Sequence, residues 1–175
     1  KLIKLKKRSG QSGAFKKGFI KAKYQYILRL DSDLQDDVSY IGKFIKTLIK
    51  KNSDLIIGFR IKRNHNKVLV IVSKFYDFLI NIILNSNYFT LSSSYIAFNK
   101  KYLNLKKWVK NDHRYLPVIA ISNGAKNVDY IKTKHVRRKF GYSKYNTLLK
   151  ILFGFPELIS FLLRLKLGFY KKVKI

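Results

Sequence analysis

The chain has 175 residues, of which 47% are hydrophobic and 15% aromatic, so it can bury a core and is not a disordered tail. Its 38 Lys and Arg against 9 Asp and Glu give a net charge of +29, which predicts an anionic partner: nucleic acid, anionic lipid or a phosphorylated substrate. The lack of cysteine excludes disulfides, zinc–thiolate sites and thiol catalysis. Because the chain contains no methionine, we expect it to be a truncated or processed piece of a longer protein.

Strand-like and helix-like segments alternate along the chain. In order, they are a strand end at 2–5, a helix after the turn 9–13, a strand at 24–30, a helix at 38–49, a strand at 54–58, a helix at 68–84, a strand at 95–98, a helix at 114–122, a strand at 128–131, and two basic helices at 146–153 and 156–167, the last one starting at Pro156. We expect the very apolar helix 68–84 to form core or a ligand-groove wall. The alternation predicts an α/β fold around a mainly parallel sheet, with residues 1–145 as one domain and 146–175 as a helical extension.

The scarce carboxylates concentrate after the strand at 24–30. Four of the 9 acidic residues lie between Asp31 and Asp37. Ligands of α/β proteins bind at the carboxyl ends of strands, and carboxylates crowded there repel each other unless a cation lies between them. We therefore predict that Asp31 and Asp33 bind a divalent cation, and that Asp36 and Asp37 cap the next helix.

A second cluster is basic. Five Lys or Arg lie within residues 134–144 together with a glycine and a serine, which suits a phosphate-binding loop, although most charge runs are solvated faces. His65 and His113 are interpreted as surface or packing histidines, because no second ligand stands at metal-binding spacing from either. Trp108 is interpreted as a core or interface side chain.

Residues 30–37 read Leu-Asp-Ser-Asp-Leu-Gln-Asp-Asp, and residues 135–145 contain His-x-x-Arg-x-x-Gly-x-Ser-Lys-Tyr. These segments resemble the Asp-x-Asp-Leu-Gln-Asp signature and the late loop motif of family 2 glycosyltransferases of the polyprenyl-phosphate type, the dolichol-phosphate mannose synthase-like and undecaprenyl-phosphate sugar transferase-like enzymes. Weaker similarities to the same family lie at 10–18, 58–63 and 113–117. The resemblance implies a GT-A (Rossmann-like) fold that is incomplete at its N-terminus.

The resemblance also implies an activity: a hexosyltransferase-type enzyme that moves a sugar from a nucleotide-sugar donor to a polyprenyl (undecaprenyl or dolichyl) phosphate, in cell-envelope glycan or lipid-linked sugar synthesis. It implies Mg²⁺ or Mn²⁺ on the donor diphosphate, held by Asp31, Asp33 and Gln35. The residues it implies as catalytic are Asp31, Asp33 and Arg138. The residues it implies as donor- or phosphate-binding are Arg60, Ser73, His135, Ser143 and Lys144.

Two features depart from the family pattern. Thr90 stands where the family often has an aspartate, which we expect to weaken acceptor contacts or activity. The family's nucleotide-base-binding strand and loop do not precede the first glycine turn, so we expect the 175 residues alone to be inactive. The basic helices within 146–175 are expected to bind an anionic membrane surface, which predicts membrane association at the cytoplasmic face.

Two alternatives stay open. A family 2 enzyme that extends a polysaccharide directly would need no lipid phosphate, but the motif at Ser143-Lys144-Tyr145 favours the polyprenyl-phosphate type. A nucleic-acid-binding module would suit the +29 charge with 12 Tyr and 13 Phe. However, the aromatic residues fall on apolar faces and the acidic segment 31–37 would repel a phosphate backbone, so no nucleic-acid partner is expected. The sequence does not specify the sugar, the nucleotide or the oligomeric state.

Overall fold

The structure, a computed structural model, describes residues 2–5, 7–31, 35–60, 67–134 and 147–171. In these ranges the helices and strands are α1 (Gly10–Lys21), β1 (Tyr26–Arg29), α2 (Ile41–Lys50), β2 (Leu55–Arg60), α3 (Lys67–Leu84), β3 (Ile96–Asn99), α4 (Leu116–Ser122), β4 (Val128–Thr133) and α5 (Thr147–Lys166). The alternation therefore follows the predicted order. Residues 2–5 are the exception, since they form no strand.

The four strands form one sheet in the order β1-β3-β2-β4. The prediction of a mainly parallel sheet was wrong: β2 and β4 are parallel, whereas β3 is antiparallel to both of its neighbours. Ile96, the first residue of β3, pairs with Arg29, the last residue of β1, and with Ile57 in the middle of β2. The connection from α3 therefore returns the chain to the carboxyl end of β1, which brings the loop before β3 beside that end.

Helices cover both faces of the sheet. Because side chains alternate along a strand, Leu55 and Ile57 of β2 point into one apolar cluster and Ile56 points into the other. The larger cluster includes Phe19 of α1 and residues of α3, α4 and α5. The smaller cluster is closed by Phe44 and Leu48 of α2. The ring of Phe44 stacks on the ring of Tyr95, with 4.5 Å between their centroids. The result is a three-layer arrangement of helices, sheet and helix.

The C-terminal segment forms one helix rather than the two that were predicted. Pro156 lies inside α5 and does not start a new helix. A proline removes one helical hydrogen bond, and here the second half of the helix is held by burial of Phe161 and Leu165 in the larger core cluster. Within the described residues, no helix combines the length and apolar character that crossing a membrane requires.

Candidate functional site

A cavity of about 410 Å³ lies at the carboxyl end of β1. Its walls come from α1, the end of β1, α3, the loop before β3 and the segment that leads into α4. The lining side chains are those of Gln11, Arg29, Asp31, Tyr76, Ser92, Ser94, His113, Arg114 and Tyr115. Asp31 is thus at the predicted sheet edge, and it is joined there by polar residues from distant parts of the chain.

Arg29 holds the Asp31 side of the cavity. Its Nη2 lies 3.5 Å from Asp31 Oδ1, and its Nη1 donates a 2.6 Å hydrogen bond to the backbone oxygen of His113. The guanidinium also lies over the ring of Phe15, 4.3 Å from the centroid. Burial lowers the pKa of Arg29 and the neighbouring Asp31 carboxylate raises it. The charge therefore stays in place because a carboxylate and an aromatic face surround it, and Asp31 gains a fixed cationic neighbour.

His113 is a packing residue, as predicted, but it also lines the cavity. It is 3% exposed, its ring stacks on Phe15 at 5.6 Å between centroids, and its Nε2 lies 3.1 Å from Gln11 Oε1. Burial lowers the pKa of His113 to about 4, with the charges of Arg29 and Arg114 adding to the effect. At neutral pH this wall of the cavity therefore carries a neutral imidazole. Trp108 likewise packs on the core, against Phe19.

Arg60 ends β2 in a buried ion pair. Its Nη2 lies 3.0 Å from Asp36 Oδ1 and donates to Ser94 Oγ at 2.9 Å. The Asp36 side chain is only 1% exposed, so the prediction that it caps the next helix was wrong: a carboxylate at this depth needs a charged partner, and Arg60 is that partner. Asp37 does have the predicted capping role, because its side chain accepts a hydrogen bond from the backbone nitrogen of Ser39 at 2.9 Å. The structure places Arg60 beside the cavity rather than in its lining.

The loop before β3 rests on the end of β2. A Cβ at Gly58 would lie 2.8 Å from the backbone oxygen of Tyr95, so this close approach requires glycine. Ser93 Oγ reinforces the contact by donating to the Gly58 oxygen at 2.8 Å. The structure thus explains why glycine stands at position 58, the first residue of the weak motif at 58–63. Without a side chain there, the loop that carries Ser92 and Ser94 can reach the cavity.

The same loop is anchored to α3. Thr90 has a φ of 56°, and its backbone nitrogen donates to Asp77 Oδ2 at 2.7 Å, while the nitrogen of Leu91 donates to Asp77 Oδ1 at 3.0 Å. The hydroxyl oxygens of Ser73 and Ser92 lie 3.4 Å apart. Ser73, which the sequence predicted to bind phosphate, therefore contacts Ser92 of the cavity lining but does not line the cavity itself. Asp77 places a carboxylate next to Thr90, the residue that stands where the family often has an aspartate.

The opposite wall is held by α5, through a contact that the sequence did not predict. Glu157 Oε2 accepts hydrogen bonds from Asn111 Nδ2 at 2.9 Å and from Arg114 Nη1 at 3.2 Å. Arg114 lines the cavity, so a residue of the C-terminal helix fixes a cavity side chain. Glu157 is the single acid in an otherwise basic and apolar segment, which is the signal that could have identified it.

A buried carboxylate beside that contact joins the end of α5 to the same wall. Asp112 is 0% exposed; its side chain accepts from the backbone nitrogen of Val109 at 2.7 Å and from the hydroxyl of Tyr170 at 2.8 Å. Arg164 Nε donates to the same hydroxyl at 2.9 Å. Burial raises the pKa of Asp112, whereas these hydrogen bonds lower it. The 111–114 segment, and with it His113 and Arg114, is thereby clamped to the C-terminal helix.

The metal site predicted at Asp31, Asp33 and Gln35 is represented among the described residues by Asp31 and Gln35. Gln35 is half-buried and does not line the cavity. Among the described residues, no three His, Cys, Asp or Glu side chains are grouped so as to hold a metal ion. The Asp31 carboxylate offers the hard oxygen donor that Mg²⁺ and Mn²⁺ prefer, and its side chain is 33% exposed at the cavity, so it fits such an ion. The predicted residues that lie outside the described ranges are Asp33, His65, His135, Arg138, Ser143 and Lys144.

The chain is similar to proteins of known family. Residues 1–105 match the family described as glycosyl transferase family 2. The chain belongs to that family. It is also 25% identical over 147 residues to dodecaprenyl-phosphate galacturonate synthase of Rhizobium johnstonii, an alignment that covers 83% of this chain and 44% of that protein. The chain thus spans less than half the length of this relative. A mixed sheet with helices on both faces is consistent with the GT-A fold of a family 2 glycosyltransferase, so the family and fold predictions are confirmed.

Proposed function

We propose that the protein transfers a sugar from a nucleotide-sugar donor to a polyprenyl phosphate. The observation that carries the proposal is the position of Asp31 in a cavity at the carboxyl end of β1, in a chain of glycosyl transferase family 2. The name of the 25% identical relative, a dodecaprenyl-phosphate galacturonate synthase, supports a lipid-linked phosphate as acceptor and a hexose derivative as the sugar.

The charges of the cavity suit two phosphorylated substrates. Arg29 and Arg114 bring two guanidinium groups to its lining and Asp31 brings one carboxylate. Guanidinium groups bind phosphate oxygens well, and the carboxylate supplies a site for a cation on the donor. Mg²⁺ or Mn²⁺, held by Asp31 with Asp33 and Gln35, would neutralise the charge that develops on the leaving nucleotide.

The residues of this chain then have separate roles. Arg29 keeps the Asp31 carboxylate in position through its 3.5 Å ion pair, and Arg114, held by Glu157, directs positive charge into the cavity. Neutral His113 and the phenol of Tyr115, whose pKa burial raises, form a wall that takes no proton from substrate at neutral pH. A phosphate oxygen of the acceptor is already ionised, so attack on the sugar requires no strong protein base.

The test uses the full-length protein in membranes, incubated with labelled UDP- and GDP-sugars and polyprenyl phosphate, in Mn²⁺ or in EDTA. UDP-galacturonic acid belongs in the donor panel because of the relative's name. We expect label to enter the lipid phase with one class of donor, and only when metal is present. Label that enters polymer without a lipid intermediate would instead identify an enzyme that extends a polysaccharide. A folded protein that labels neither phase with any donor would contradict the proposal.

A further inference from the structure

Two neutral polar atoms of cavity-lining residues have no hydrogen-bond partner among the described residues. They are the hydroxyl oxygen of Tyr76 and the Nδ1 atom of His113. Both side chains are almost entirely buried, since Tyr76 is 7% exposed and His113 is 3% exposed. A buried polar atom without a partner is uncommon in a folded protein, because nothing offsets the loss of its bonds to water. Both atoms therefore call for a partner that the described part of the chain does not supply.

Tyr76 contrasts with a second tyrosine at the same depth. Tyr76 and Tyr102 belong to the larger core cluster and are 7% and 8% exposed. The hydroxyl of Tyr102 donates to the Asp54 side chain, whereas the hydroxyl of Tyr76 is unused. Burial, together with Tyr115 and Asp77 nearby, raises the pKa of Tyr76 well above its ordinary value. At neutral pH the cavity is therefore lined by a phenol that keeps its proton and can donate it to a hydrogen bond.

The imidazole of His113 is held so that Nδ1 is left over. Its ring stacks on Phe15, and its Nε2 lies 3.1 Å from Gln11 Oε1. Its backbone oxygen accepts a hydrogen bond from Arg29. Because a carbonyl oxygen only accepts, the single proton of the neutral ring lies on Nε2, and Nδ1 presents a lone pair. The Nδ1 atom is thus an acceptor that needs a donor.

Together the two atoms select the chemistry of a ligand. Tyr76 offers an O–H group and His113 offers a lone pair, so a matching ligand accepts one hydrogen bond and donates another. The diphosphate of a nucleotide and a carboxylate are ionised at neutral pH and have no proton to donate to Nδ1. An alcohol hydroxyl both donates and accepts, and a sugar carries several such groups. A sugar therefore fits this pair better than an anion does.

We propose that Tyr76 and His113 bind hydroxyl groups of the transferred sugar, with the phenol donating and Nδ1 accepting. The assignment rests on the proposed function, because it takes the sugar of a nucleotide-sugar donor to be a ligand of the cavity. The lining is then divided by chemistry: Arg29 and Arg114 suit phosphate oxygens, and the neutral pair suits the sugar. Tyr76 and His113 are thus specificity-determining residues, because a sugar without a hydroxyl at the matching position leaves them unpaired.

The test measures binding without acceptor, so it does not depend on transfer to a lipid. Calorimetry of the full-length protein in Mn²⁺ compares UDP-glucose, UDP-galacturonic acid and GDP-mannose with UDP and GDP alone. The ratio of the two dissociation constants isolates the contribution of the sugar. Tyr76→Phe removes a single oxygen atom, and we expect it to weaken binding of the preferred nucleotide sugar about tenfold while binding of the free nucleotide stays unchanged.

Tyr102→Phe is the matched control, because its hydroxyl has a protein partner away from the cavity lining. We expect it to lower the urea midpoint of unfolding and to bind the nucleotide sugar as the wild type does. Tyr76→Phe should do the reverse, since its hydroxyl gives up no bond to the described residues. A urea midpoint lowered as much by Tyr76→Phe as by Tyr102→Phe would reveal a structural role for the Tyr76 hydroxyl and overturn the proposal.

Deoxy analogues of the nucleotide sugar identify the hydroxyl that is bound. The analogue that lacks this hydroxyl should bind equally to wild type and to Tyr76→Phe, whereas the intact nucleotide sugar distinguishes the two proteins. For His113 the informative pair is His113→Asn and His113→Gln, because asparagine places its amide at the level of Nδ1 and glutamine at the level of Nε2. We expect His113→Asn to keep more of the sugar's contribution to binding than His113→Gln does.

Two results would overturn the proposal. If Tyr76→Phe binds the nucleotide sugar as tightly as the wild type does, water alone occupies the position beside the hydroxyl. If Tyr76→Phe weakens the nucleotide sugar and the free nucleotide equally, the hydroxyl contacts the nucleotide and not the sugar. The proposed function is tested apart from this contact. A loss confined to the nucleotide sugar supports the contact even where no label reaches polyprenyl phosphate, and in that case the assigned acceptor is wrong.

Discussion

At the sheet edge, Arg29 and Asp31 pair two positions apart at the end of β1, whereas at the facing wall Arg114 and Glu157 pair across 43 positions of the chain. Both pairs serve the same cavity. The first is local, so it could be anticipated from an acidic cluster after a strand. The second depends on where a distant helix packs. The position of the Asp31 carboxylate thus follows from the strand that carries it, whereas the side chains that face it depend on tertiary packing.

The largest expected effect comes from breaking the α5 side. Asp112→Ala leaves the Tyr170 hydroxyl, the Val109 nitrogen and Arg164 without their common buried acceptor, and we expect a loss of about 4 kcal/mol in unfolding free energy. Urea denaturation of the purified protein measures it. The matched change at the sheet edge, Asp36→Ala, should cost less, about 3 kcal/mol, because Asp36 has Arg60 as its main partner. If Asp36→Ala cost as much unfolding free energy as Asp112→Ala, or more, the contacts of Asp112 with α5 would not be the stronger of the two sets.

A pH dependence of similar size is expected from His113. Burial lowers the pKa of its imidazole in the folded protein to about 4, against about 6.5 in the unfolded chain. As the pH falls from 6.5 toward 4, the unfolded chain binds a proton that the folded protein does not, so stability is lost over that window, by about 3 kcal/mol in the limit. The measurement is the difference in unfolding free energy between wild type and His113→Gln at a series of pH values. A difference that does not change between pH 7 and 4 would refute the assignment.

A smaller effect on stability is expected at Glu157. Glu157→Gln keeps an acceptor for Asn111 but removes the charge that holds Arg114, so we expect a loss of about 1 kcal/mol in unfolding free energy. The effect on transfer should be larger in proportion, about tenfold in kcat/KM, because Arg114 lines the cavity. Lys51→Gln, which removes an exposed ion pair with Asp129, is the control for a general loss of charge. If Glu157→Gln and Lys51→Gln lowered transfer equally, the loss would be a general effect of charge, and Glu157 would have no specific role in positioning Arg114.

Much of the fold was predictable from local patterns. The spacing of apolar residues identified the helices, and the acidic segment located the cavity edge through Asp31. The direction of β3 was not predictable, because the pattern of a short apolar strand is the same in either direction and the direction is decided by the pairing of Ile96 with Arg29 and Ile57. Asp36 was misassigned because a carboxylate just before a helix fits a cap as well as a buried ion pair.

The helix α5 shows a second limit of local patterns. Pro156 favours a helix start by its missing N–H, but packing of the residues that follow it maintains one continuous α5.

The helix predicted at 68–84 was expected to form core or a groove wall, and one face of α3 does so. The exposure of its other face, which includes Phe75 and Phe78, could not be predicted. A helix that is apolar all round has the same sequence pattern whatever covers its faces.

The role of Asp31 is tested by comparing Asp31→Asn with Asp37→Asn in the full-length protein. Both changes remove one carboxylate charge from the same acidic segment, but Asp31 lines the cavity and Asp37 caps the turn at Ser39. The readout is transfer of labelled sugar to polyprenyl phosphate in Mn²⁺. We predict that Asp31→Asn lowers kcat/KM about a hundredfold or more while Asp37→Asn stays near wild type. Wild-type transfer by a folded Asp31→Asn protein would contradict the proposed role of Asp31 in the cavity.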